Sequence, residues 1–174
     1  CSSGFLDIYK GLLGDGSRIG ISITYKIQES PEGIAQSFQI GEDFIGDDSV
    51  CLVLGDNLFY GHGLPEMLIE AKEKVKTSGG AVVFGYTVTD PKKYGVAEII
   101  DGNIVGIEEK PSNPKSNWAV IGLYMYDNTV VKVANSIKPS ARGELEITAV
   151  NQSYLDDKKL SISTMGRGYT WFDT

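Results

Sequence analysis

The segment "VLGDNLFYGHG", residues 53 to 63, sets a carboxylate, Asp56, at the exit of an apolar run and follows it with glycines, aromatics and the chain's single histidine. A carboxylate leaving a strand can ligate a hard metal ion, or it can form a turn and cap the next element. A second one leaves another apparent strand: Asp173, at the end of "YTWFD". Two carboxylates meeting at one point repel unless a cation lies between them, and Mg²⁺ is suited to such oxygen donors. His62 has no His or Cys near it and reads as a loop residue without a metal role. In "IEEKP", Lys110 follows Glu108 and Glu109 and precedes Pro111, which cannot continue a ladder. That lysine can meet a phosphate as a compact point charge while Glu109 accepts sugar hydroxyl protons; the same residues also suit a solvated strand end. Gln28, in "IQESPEG", offers a donor beside an acceptor, which complements the imide edge of thymine or uracil, and Gly33 would let backbone approach a base. Equally, Gln28 suits an exposed strand position and Gly33 a loop.

Strands alternating with helices must carry these residues. "IGISITYKIQ" puts Ile19, Ile21, Ile23, Tyr25 and Ile27 on one face of a half-buried strand. Ser30 then reads as an N-cap with Pro31 at the first helical position, and Ile34, Phe38 and Phe44 share a side of the helix. "SVCLVL" is a short apolar run expected of a strand covered on both faces. "LPEMLIEAKEKVKT" places Leu64, Met67, Leu68, Ala71 and Val75 at helical spacing before the breaker "SGG", and "AVVFGYTV" closes a βαβ unit whose crossover should be right-handed. "GVAEII", "DGN" and "IVGIEEK" read as a hairpin turning at Asp101-Gly102. A Pro/Ser/Asn loop, the strand "WAVIGLYMY" and a helix in "RGELEITAVNQSYLDD" carrying Leu145, Ile147, Val150, Tyr154 and Leu155 follow, then the strands "LSIST" and "YTWFD". The expected architecture is a mixed α/β sheet, parallel in its first half.

Composition bounds the function. With 41% hydrophobic and 22% charged residues over 174 positions, the chain is that of an ordinary globular domain, and its net charge of −7 disfavours non-specific nucleic-acid binding. No apolar run is long enough to span a membrane and no secretory leader is evident, which fits a cytoplasmic setting. Cys1 and Cys51 make neither a disulfide framework nor a metal spacing, and Cys51 reads as a small core residue. The chain starts without a methionine and stops within a strand pattern, so both ends read as cut from something longer.

Taken in order, "IQESPEGIAQSF", "LVLGDNLFYGHGL", "FGYTVTDPKKYGVAEI", "IEEKPSNPKSNWAVIGLYMYD", "RGELEITAVNQSYL" and "GRGYTWFDT" closely resemble the glucose-1-phosphate thymidylyltransferases among the sugar nucleotidyltransferases. The resemblance runs from "LLGDG" to Thr174. It implies an α/β fold, a Rossmann-like mixed β-sheet flanked by helices, with residues 1–174 forming a single, incomplete nucleotidyltransferase domain. It further implies that dTTP and glucose 1-phosphate give dTDP-glucose and pyrophosphate with Mg²⁺, as the first step towards dTDP-rhamnose and cell-surface polysaccharide, in a cytoplasmic homotetramer. By matching motif, Asp56 and Asp173 resemble the metal ligands and Lys110 the sugar-phosphate contact, with Asp56 and Lys110 as the catalytic pair. Gln28 and Gly33 resemble the thymine contacts, and Gly95, Glu109 and Val120 the glucose contacts. Such a displacement needs positioning and charge neutralisation more than covalent chemistry. Members of this family open with a glycine-rich loop ending in Thr-Arg that cradles the triphosphate. That loop is not in this chain, so no turnover is expected of it alone. Uridylyl transfer, or a sugar-nucleotide sensor without catalysis, are the alternatives.

Overall fold

The computed structural model describes residues 3–174. Helices α1 (Leu6–Leu13), α2 (Gln36–Ile40) and α3 (Glu42–Ile45) come first, then strands β1 (Val50–Val53) and β2 (Asn57–Gly61), helix α4 (Leu64–Ser78) and strand β3 (Ala81–Thr87). Strands β4 (Gly95–Ile100), β5 (Asn103–Glu109) and β6 (Trp118–Tyr126) follow, then helices α5 (Val130–Ser136) and α6 (Ile147–Asp156) and strands β7 (Leu160–Met165) and β8 (Tyr169–Asp173).

Strand β6 is the axis of the main sheet, because its apolar run is long enough to be buried on both faces. The order is β5-β4-β6-β3-β7, with β1 as a further partner of β6. One edge of β6 pairs with β3, while β4 and β1 share the other: β4 lies against residues 118–120 and β1 against residues 123–126. Between Val83 and Gly85, β3 keeps one residue where β6 keeps three, 121–123, so the central strand bulges. The bulge hands Gly122 to the gap between β4 and β1, where its carbonyl accepts Leu54 N–H at 2.9 Å.

Alternating side chains of β3 and β6 feed two cores. Val83, Val120, Tyr124 and Tyr126 pack with Phe38, Val130, Val150 and Tyr154 from the helices on one face. Val82, Phe84, Ile121, Leu123 and Met125 pack with Ala71 and Val75 of α4 on the other. The β4–β5 hairpin turns at Asp101 and Gly102, with φ of 50° and 78°, as their residue types lead one to expect. Strands β2 and β8 form a separate antiparallel ribbon that sets Asn57 opposite Asp173. Its inner face, with Phe59 and Trp171, lies on the α4 core.

Several expectations are corrected. Residues 19–27 form no strand: Ile23, Tyr25 and Ile27 keep the alternation as half-buried positions, but Ile19 and Ile21 are exposed and no described strand pairs with the segment. Alternation shapes an extended segment, whereas a ladder needs a partner for its N–H and C=O groups. Ser30 is no N-cap. Helix α2 begins five residues after Pro31, because Gly33 sits at φ 109° and the backbone beside it bonds to Leu145: Leu145 N–H donates to Glu32 O at 2.7 Å and Ala35 N–H to Leu145 O at 3.1 Å. Phe38 is buried as expected, but Ile34 and Phe44 are exposed and Ile45 takes the core position. Leu145 is buried ahead of α6 rather than within it. Strand β1 is covered on one face only. Its burial alternates, and Cys51 is exposed beside a groove shared with α4 rather than in the core. Finally, β1 and β3 run in the same direction but β6 lies between them, and among the described strands only β3 and β7 are parallel neighbours. The first half of the sheet is therefore not parallel.

Candidate active site

The gap between β4 and β1 opens into a cleft of about 420 Å³. Val120, Gly122 and Tyr124 of β6 form its floor, and Gln28, Gly33, Gly95, Glu109, Lys110 and Asp173 lie around it. Asp56 does not line the cleft but reaches its edge through Asn57. Each candidate catalytic, substrate or metal residue is thus placed in or beside one cavity.

One wall is built by β5 and α6. Glu109 accepts a short hydrogen bond from Thr148 Oγ1, and its other oxygen lies 3.4 Å from Arg142 Nη2. Arg142 is held in turn by Glu146, with Nη2 at 2.9 Å from both carboxylate oxygens, and by Glu144 at 3.4 Å. The hydrogen bond to Glu146 raises the pKa of the guanidinium above its ordinary value. Gly95 faces this pair. A Cβ there would stand 3.0 Å from Thr148 Oγ1 and 3.5 Å from Glu109 Oε2, so a side chain would fill the space before the carboxylate. Lys110 ends the wall with φ 42°, its N–H bonded to Tyr94 O at 3.0 Å, and its ammonium has no ion-pair partner among the described residues.

The opposite wall is the ribbon. Asn57 Nδ2 donates to Asp56 Oδ1 at 2.8 Å and to Asp173 Oδ1 at 3.0 Å, so both carboxylates meet at one amide nitrogen. Thr174 ties back to Asp56 O through its N–H at 3.1 Å and its hydroxyl at 3.0 Å. Trp171 stands beside Tyr94 with ring centroids 5.2 Å apart. Burial, then the nearby charges of Asp173 and Asp90, push the Tyr94 phenol up.

Gln28 is less free than its sequence context suggests. Its Nε2 donates to Gln36 Oε1 at the start of α2 at 2.6 Å and to Gly33 O at 3.3 Å, which engages both N–H groups and leaves the carbonyl for a ligand. Gly33 has a packing reason of its own: a Cβ would lie 2.5 Å from Leu145 O. Arg142, Thr148, Asn57, Gly122 and Trp171 were not singled out from sequence. Arg142 and Glu146 stand four apart before a helix, and Asn57 follows Asp56 directly, but neither spacing tells which distant side chain each one meets.

Residues 6–174 match the family model described as nucleotidyl transferase. The chain belongs to that family. It is 54% identical over 167 residues to the glucose-1-phosphate thymidylyltransferase of Neisseria meningitidis, covering 95% of this chain and 57% of that protein. It is 52% identical over 164 residues to the enzyme of the same name from Mycobacterium tuberculosis, covering 94% and 56%. The chain therefore spans about half the length of these curated relatives. A Bacillus anthracis structure described as a glucose-1-phosphate thymidylyltransferase in complex with a sucrose superposes with a TM-score of 0.87 at 40% identity, covering 99% of this chain and 68% of that one. UDP-glucose pyrophosphorylase complexed with UDP-glucose shares the fold, with a TM-score of 0.78 at 22% identity over 96% of this chain and 66% of that one.

The charges decide what the cleft of this nucleotidyl transferase chain can hold. Lys93, Lys110 and Arg142 line it against Glu109, Glu144, Glu146 and Asp173. Arg142 is engaged by the three glutamates and Lys93 lies 3.8 Å from Asp90, which leaves Lys110 to meet an anion. A phosphate ligand entering such a cleft needs a further positive charge. Among the described residues no cluster of three or more His, Cys, Asp or Glu stands ready for a metal. A pair of carboxylates nevertheless fits Mg²⁺, which commonly takes one or two from the protein and the rest of its oxygens from phosphates and water.

Proposed function

We propose that this chain forms the sugar-phosphate side and the metal-binding corner of a glucose-1-phosphate thymidylyltransferase. In that reaction a phosphate oxygen of glucose 1-phosphate attacks the α-phosphorus of dTTP. The new P–O bond gives dTDP-glucose, and the bond to the bridging oxygen breaks to release pyrophosphate. The observation that carries the reading is one cleft with Glu109 and Lys110 on one wall and the Asp56–Asp173 pair at the other.

Each residue has a task. Lys110 draws the sugar phosphate to the rim. Glu109, already aimed by Thr148 and Arg142, accepts hydroxyl protons of the glucose, and the missing side chain of Gly95 leaves room for the ring above Val120. Gln28 presents its carbonyl to the thymine imide N–H, and an N–H freed from Gly33 O can serve a base carbonyl. Asp56 and Asp173 would hold Mg²⁺, which supplies charge neutralisation to the phosphates during the displacement. No helix among the described residues is long and apolar enough to cross a membrane, and the reading takes the protein as a cytoplasmic enzyme of dTDP-rhamnose supply that assembles as a homotetramer.

Calorimetric titration of dTDP-glucose into the folded chain, with and without Mg²⁺, tests this. Binding that requires the metal supports the enzyme; equal binding without it supports a sensor, and no binding removes the proposal. A parallel titration with UDP-glucose decides between the thymidylyl and uridylyl readings.

A further inference from the structure

Asn57 touches four groups with one amide. Its Oδ1 accepts Trp171 Nε1–H at 2.6 Å and Gly122 N–H at 3.1 Å, while Nδ2 donates to Asp56 Oδ1 and Asp173 Oδ1. A primary amide has two donors and two acceptor positions, so all are used. Turning it over would set NH₂ against two N–H donors and the carbonyl against two carboxylates, which fixes its orientation. The bulge of β6 makes room for it: a Cβ on Gly122 would lie 2.6 Å from Asn57 Oδ1.

We infer that Asn57 is a positioning residue that aims Asp56 and Asp173 at a shared divalent cation, with Gly122 and Trp171 holding the amide that does so. The inference rests on the proposed role of the two aspartates. Both carboxylates are exposed, and each sends one oxygen to the same Asn57 nitrogen, where like charge would drive them apart. The amide occupies one oxygen of each and leaves each Oδ2 without a hydrogen bond among the described residues. A purely structural Asn57 would need only its carbonyl, which alone ties the ribbon to β6 and to the indole. Its donor half acts on nothing but the two acids.

Mn²⁺ binding to the chain, followed by electron paramagnetic resonance with circular dichroism to confirm the fold, separates the roles. Wild type is expected to bind Mn²⁺, and Asp56→Asn or Asp173→Asn to abolish binding. Asn57→Ala is expected to weaken it by about 10–100-fold, the range seen when groups that orient metal ligands are lost. Trp171→Phe leaves all three side chains in place but removes one anchor of the amide, and about a 3-fold loss is expected, less than the range for removing the orienting group itself. Should wild type bind no Mn²⁺, the aspartates are not the ligands and the underlying reading falls. Binding that is lost in the aspartate variants but unchanged in Asn57→Ala overturns the positioning role while the metal reading stands. If Asn57→Ala fails to fold, Trp171→Phe decides: unchanged affinity overturns the inference and weakened affinity supports it.

Discussion

The two walls of the cleft hold their carboxylates in opposite ways. On the α6 wall, Glu109 and Glu146 are 25% and 12% exposed and are locked by Thr148, Arg142 and Ser140. They ride on elements whose other faces are core: Ile147, Val150 and Tyr154 are buried. On the ribbon wall, Asp56 and Asp173 are open to solvent on a two-stranded element whose outer residues Leu58, Tyr60 and Phe172 are 59%, 77% and 59% exposed. A group that must accept hydroxyl protons at fixed angles benefits from burial and several partners. In the proposed roles, ligands for a hydrated cation must exchange with water, which suits carboxylates that stay wet.

Breaking the approach to the α6 wall should have the largest effect. Gly33→Ala places a Cβ 2.5 Å from Leu145 O at φ 109°, against backbone that leads directly into α6. Backbone strain and overpacking together should cost about 3 kcal/mol and lower the melting midpoint by roughly 6–12 °C, measured by calorimetry. The ribbon wall should respond the other way. Asp173→Asn should change stability by no more than about 0.5 kcal/mol, since the side chain is exposed, yet weaken Mg²⁺-dependent binding of dTDP-glucose by about 100-fold, or 2.7 kcal/mol. Equal losses of stability and binding at Asp173 would erase the contrast between the walls.

How far the sequence reveals each wall follows from the range of its contacts. The Asp101-Gly102 hairpin and the α4 spacing are local patterns, and each is found where the pattern places it. Strand neighbours are not local. Nothing in "SVCLVL" states that β6 stands between it and β3, or that only one of its faces is covered. Motif order points to Asp56, Glu109, Lys110 and Asp173, whereas no spacing marks Asn57, whose decisive partner is 116 positions away. Arg142 was missed for the same reason: the glutamate it shares with Thr148 comes from β5, 33 positions earlier.

Smaller effects sharpen the contrast within the α6 wall itself. Thr148→Val keeps the buried volume but withdraws the hydroxyl from Glu109, leaving Arg142 at 3.4 Å as its remaining hydrogen-bond partner. Loss of a hydrogen bond to a charged group should cost about 1.5 kcal/mol and weaken sugar-nucleotide binding with it, so stability and affinity should fall together here, unlike at Asp173.

The smallest expected effect concerns the far end of α6. Tyr154 OH donates to Asp127 Oδ1 at 2.9 Å, and the same carboxylate accepts Gly80 N–H, Thr129 N–H and the Thr129 hydroxyl. Burial pushes the Asp127 carboxyl up, but these donors outweigh it and hold the pKa below the ordinary value. A depressed value stabilises the fold fully above the unfolded carboxylate pKa of about 4, and that contribution disappears as pH falls through the folded value. Urea unfolding of wild type should therefore show stability declining below about pH 4, and Asp127→Asn should flatten that limb while lowering stability at neutral pH by less than about 1 kcal/mol, because the carboxylate is partly solvated. The ribbon's ties to the sheet, from Tyr86 OH to Tyr169 O and from Gly122 N–H to Asn57 Oδ1, are uncharged. Metal-dependent binding measured at neutral pH should accordingly be the same in Asp127→Asn and wild type, since the anchor it weakens serves the other wall.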